Sequence, residues 1–153
     1  WKGMENAGVR RIKRDIRVDI RSISLLNSDH INRLQKMPFM EAYFEENGAA
    51  IDQVLRGEPS TLTNLGAFRA YTLEYLRKHE NIDDELPVMV RNMPSDQNGI
   101  PVEIYCFSKV NVWVPYETIQ SGIFEYILAI IGKFGLRVFQ NPTGTDLENL
   151  NSK

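Results

Sequence analysis

Apolar and polar residues alternate from position 100 to position 114, and a period of two over that length predicts a long strand with one buried side. Ile100, Val102, Ile104, Cys106, Val110, Val112 and Val114 share one face, because successive side chains of a strand leave on opposite sides. Glu103, Tyr105, Phe107, Lys109, Asn111 and Trp113 share the other, a mixture of charge and aromatic area suited neither to a solvated face nor to a private core. Tyr105, Phe107 and Trp113 are therefore candidate residues of a subunit or domain interface, where amphipathic rings contribute most. Rings lying singly on an ordinary surface are the plainer alternative.

A second alternation places Ile12, Arg14, Ile16, Val18 and Ile20 on one side of a strand and Lys13, Asp15, Arg17, Asp19 and Arg21 on the other. Apolar spacing then turns helical, with Asn27, Ser28 and Asp29 as possible caps, Ile31 and Leu34 in a short helix ending near residue 36, and a longer helix from Pro38 to about residue 56. A third helix is predicted over 64–79, with Leu65, Phe68, Tyr71, Tyr75 and Leu76 on one side. Leu86, Val88 and Val90 alternate again, and the turn from Pro94 to the Asn98-Gly99 pair makes this strand the hairpin partner of the first one described. A strongly apolar helix starts at Pro115, Gly135 ends it in a left-handed turn, and 136–139 reads as a last strand. Strand, helices, strand, strand, helix, strand is the order of an α+β, ferredoxin-like split βαβ domain, with the helices on one face of a mainly antiparallel sheet. The expected organisation is an arm over 1–9, one α/β domain over 10–140 and a polar tail over 141–153.

Composition narrows the classes of partner. In 153 residues, 42% hydrophobic and 25% charged with a net charge of -2, nothing favours nucleic acid or an anionic membrane surface. The concentrated charge is local: Arg10, Arg11, Lys13 and Arg14 stand where the arm becomes a strand, and their plainer role is a solvated strand entry balanced by Asp15 and Asp19. No apolar run approaches the roughly 20 residues that span a bilayer. The chain starts on Trp1 rather than methionine and reads as a piece of a longer protein.

Candidate chemistry is sparse. His30 follows a cap and His79 ends a helix, each more often a solvated side chain than a base or ligand. Cys106, the single cysteine, lies on the apolar side of its strand without a neighbour to lower its pKa. Asp83, Asp84 and Glu85 lack the glycine and spaced oxygens of a calcium loop. No phosphate-loop, zincin or nucleophile-elbow motif is present, and Glu103 on the aromatic face departs from an RNA-stacking platform. The residues thus predict no enzyme and no catalytic, metal or cofactor site.

Three stretches together carry a resemblance: 1–4 leading into 8–14; 62–71, reading LTNLGAFRAY; and 99–107, reading GIPVEIYCF, with Trp113, Tyr116, Glu117, Ile119, Gln120, Ile123, Phe124 and 134–140. In these the chain resembles the cytoplasmic end of bacterial MscS-type mechanosensitive channels, most closely the miniconductance branch. The resemblance implies membrane helices and a small β domain ahead of this region, with residues 1–4 as the exit from that domain. It further implies homo-oligomers, usually heptamers, enclosing a vestibule on the cytoplasmic side of the inner membrane, with side portals through which ions and small solutes reach the pore. Arg10, Arg11, Lys13 and Arg14 would then present positive charge near a portal or the vestibule wall. Many members end in an axial β-barrel, for which 143–150 is weak strand material. A freestanding ligand-sensing or regulatory domain closed by its aromatic face is the alternative, and an enzyme of acylphosphatase-like fold is disfavoured by the lack of a glycine-rich anion loop after the first strand.

Overall fold

In the computed structural model residues 8–141 are described, so most of the expected arm and tail lies outside the described residues. The alternation of the first segment forms β1 (Arg10–Val18), and the hairpin reading holds: β2 (Met89–Asn92) pairs antiparallel with β3 (Ile100–Ser108). β1 pairs antiparallel with the other edge of β3, in the register Ile12 opposite Cys106 and Ile16 opposite Val102, giving a three-stranded sheet of order β1-β3-β2. The protein is thus α+β, with five α-helices among the described residues: α1 (Ser28–Leu34), α2 (Glu41–Glu46), α3 (Gly48–Leu55), α4 (Asn64–Arg77) and α5 (Trp113–Ile130). No helix of the described residues is long and apolar enough to cross a membrane.

The core forms where the apolar strand face meets the helical stripes. Ile12, Ile16, Val18, Val90, Val102, Ile104 and Cys106 are buried with Leu65, Phe68, Tyr71 and Leu76 of α4 and Ile123, Phe124 and Ile127 of α5. Local chemistry sets the ends of these helices. Asn27 and His30 form a reciprocal cap on α1, Thr63 Oγ1 accepts from the Gly66 N–H at the start of α4, and Gly135 (φ 72°) stops the 3-10 turn that follows α5. Asn64, buried at the start of α4, accepts from the Ser24 N–H and donates to the carbonyls of Ser22 and Phe134. One carboxamide therefore ties the turn after β1 to the end of the last helix.

Four expectations are corrected. β3 ends at Ser108, because the Ser108 hydroxyl both donates to the Val110 carbonyl and accepts from the Val110 N–H, drawing that backbone out of the ladder. The helix expected from Pro38 is instead two, α2 and α3, interrupted at Asn47, whose side-chain amide donates to the Tyr43 carbonyl. The last strand shrinks to a single antiparallel bridge, Val138 with Val18, flanked by the bonds Phe139 N–H to Arg17 carbonyl and Asp19 N–H to Arg137 carbonyl. Ile20 leaves the strand altogether and opens a 3-10 turn, capped by the Asp19 carboxylate.

Candidate functional site

The candidate site is the first half of β1 together with the helix that runs beside it. Side chains along β1 alternate between the core face and the far face of the sheet, so its basic residues divide: Arg10 and Arg14 go to the helix side, Arg11 and Lys13 to the other. Positions 10 and 14 of a strand are about 13 Å apart, and two aromatic residues eight apart on a helix are separated by about 12 Å. That match lets α5 offer one ring to each guanidinium. Arg10 lies 4.3 Å from the centroid of Tyr116, and Arg14 lies 4.3 Å from that of Phe124. The Tyr116 hydroxyl donates to the Arg11 carbonyl at 2.6 Å, pinning the helix to the strand's start. Burial raises the Tyr116 pKa while the Arg10 charge pulls it the opposite way.

On the far side, Lys13 projects into solvent and Arg11 lies 6.0 Å from the Tyr105 ring. Among the described residues Arg10, Arg11, Lys13 and Arg14 have no ion-pair partner, and their cross-strand neighbours are Ser108, Phe107, Tyr105 and Ile104, none of them acidic. Farther along the sheet two ion pairs form, while Asp15 has none among the described residues. Arg17 pairs with Asp96 at 3.0 Å, and Arg91 holds the Glu103 carboxylate at 2.9 Å, offsetting the like charge of Asp15 directly opposite. Asp19, held by Arg21, has its pKa lowered by that hydrogen bond. Unbalanced positive charge is therefore confined to one end of the sheet, where it also keeps an edge strand from pairing with foreign strands.

The three aromatic candidates separate. Trp113 does not share the strand face with Tyr105 and Phe107; it is the first residue of α5, 67% exposed between the exposed Val112 and Val114. Phe107 is 1% exposed, with the Tyr105 ring edge-on at 5.6 Å, so it offers little surface to a neighbour. Tyr105 is half-buried. Glu103, expected on an open face, is 7% exposed and ion-paired. The exposed apolar corner is consequently Val112, Trp113 and Val114, one helical turn before Tyr116 and hence beside the basic end of β1.

The stacking platforms Tyr116 and Phe124 were not assigned a role from the sequence; their spacing against Arg10 and Arg14 is the signal that carries it. His30 Nδ1 accepts the Asn27 N–H within the cap of α1, and His79 Nδ1 accepts the Asn81 N–H, so both imidazoles serve local backbone geometry. Burial pushes the Cys106 thiol up to about 12. Among the described residues no group of His, Cys, Asp and Glu is arranged to hold a metal ion. No protein-family model matches the chain.

Proposed function

We propose that this chain is the vestibule domain of an MscS-type mechanosensitive channel subunit, in which the basic end of β1 borders the path of ions and small solutes. The observation that carries this reading is the segregation of charge. Among the described residues four cations without an ion-pair partner stand at one end of an edge strand, in a chain of net charge -2 in which Arg17, Arg91 and Glu103 of the same sheet are ion-paired. Such a patch raises the local anion concentration in a confined aqueous space. The exposed Val112-Trp113-Val114 corner beside it supplies apolar area for a neighbouring subunit, so assembly and charge presentation share one end of the domain.

The strand arrangement supports a ferredoxin-like domain. Val138 makes an isolated bridge to the outer edge of β1, the side on which a split βαβ sheet of order 4-1-3-2 would carry its fourth strand. The resemblance of 62–71 and 99–107 to the miniconductance branch agrees with the roles these stretches have. Asn64 ties the turn after β1 to the Phe134 carbonyl, and at Gly99 (φ 86°) any Cβ would clash with the Val18 carbonyl oxygen.

Patch recordings from membranes carrying the complete gene product and no other tension-sensitive channel test the proposal. A current that opens with suction and has a stable unit conductance is expected. Silent patches, with the protein present in the membrane, would overturn it.

A further inference from the structure

Away from the basic end of the sheet, a groove of about 400 Å3 opens between the last turn of α2, residues 61–63 and the first turns of α4. Its lining includes Tyr43, Glu46, Asn47, Thr63, Gly66 and Arg69. Two of these side chains, the buried Tyr43 and the half-buried Arg69, each carry a buried polar atom without a partner among the described residues. Among the described residues the Tyr43 hydroxyl has no hydrogen-bond partner although the residue is only 6% exposed, and the Arg69 Nε atom is buried without one. Buried polar groups nearly always find partners, because leaving one unmade costs more than a hydrogen bond contributes. Neither Arg69 nor Glu46 forms an ion pair among the described residues, although both line this groove.

The helix dipole adds to the field here, although the N–H groups of Asn64, Gly66 and Ala67 are already bonded to Ser24 and Thr63. The groove lies at the N-terminal end of α4, a helix of 14 residues, whose first turn carries partial positive charge. Gly66 stands there between cap and guanidinium: a Cβ would meet Thr63 Oγ1 at 3.2 Å, a tight contact, and Arg69 Nη2 at 3.9 Å.

We propose that this groove binds a small organic carboxylate, held by the Arg69 guanidinium and the Tyr43 hydroxyl at the N-terminal turn of α4. A guanidinium fork matches the two oxygens of a carboxylate, and a phenol adds a third donor. Glu46, exposed at the rim, sets the charge the site accepts: one carboxylate is admitted more readily than a multiply charged phosphate. The volume suits a ligand of metabolite size. This assignment is independent of the channel reading, since it rests on residues remote in sequence from the basic cluster of β1.

Titration of the 15N-labelled full chain with propionate, following the Gly66 amide resonance, tests it. A saturable shift at millimolar propionate is expected, with affinity reduced about tenfold or more in Arg69→Gln, where the charged fork is gone. Tyr43→Phe should weaken binding while leaving the thermal midpoint unchanged or raised, because it removes an unsatisfied hydroxyl; a merely structural tyrosine would lower the midpoint. A shift that never saturates, equal affinity in Arg69→Gln, or tighter binding of inorganic phosphate than of propionate would overturn the proposal. Should Arg69→Gln fail to fold, Tyr43→Phe decides, and undiminished propionate binding in that variant counts against the site.

Discussion

At the scale of single residues, two side chains set measurable quantities. Asn64 makes three side-chain hydrogen bonds to backbone groups of Ser22, Ser24 and Phe134. Asn64→Ala leaves those groups unpaired in a buried site and should lower stability by about 3 kcal/mol, read from urea unfolding. Burial lowers the pKa of His79 below its usual 6.5, outweighing the pull of Glu80 in the other direction, and its Nδ1 already accepts the Asn81 N–H. The unfolded chain therefore takes up this proton at a higher pH than the folded one. Stability should fall as pH drops below about 6.5, in a component that is absent from His79→Gln when thermal midpoints are compared across pH.

At the scale of elements, the packing of α5 on β1 distinguishes stacked from solvated cations. Arg10→Gln and Arg14→Gln each remove a guanidinium from an aromatic face and should cost about 0.5–1 kcal/mol, while Lys13→Gln, equal in charge change but facing solvent, should leave chemical denaturation unaltered. Arg91→Leu strips the partner from the buried Glu103 carboxylate opposite Asp15 and should cost about 2 kcal/mol or more by the same assay. Much of this level was legible in the sequence. The hairpin of β2 and β3, α4 and the stop at Gly135 followed from period and turn chemistry, which act locally. The end of β3 was not legible, because Val110, Val112 and Val114 continue the strand's alternation while the Ser108 hydroxyl has already taken the Val110 backbone out of it. Nor was the division of the basic cluster, since stacking on Tyr116 and Phe124 depends on a helix about a hundred residues away. The groove at Arg69 left no mark either, for its members come from two helices and a loop without a shared motif.

At the scale of the whole molecule, the basic end of β1 and the exposed Val112-Trp113-Val114 corner stand side by side. Arg10, Arg11, Lys13 and Arg14 lie along the start of β1, and Trp113 projects from the helix packed against it. A vestibule wall needs both properties: contact with the next subunit and a surface that biases the ions it meets. For the proposed channel function the most direct measurement is the reversal potential of the tension-activated current that the proposal expects, taken across a salt gradient at low ionic strength, with and without Arg10, Arg11, Lys13 and Arg14 replaced together by Gln. The account predicts that the replacement moves the reversal potential toward that of the cation; an unchanged reversal potential in a variant that still opens would contradict it.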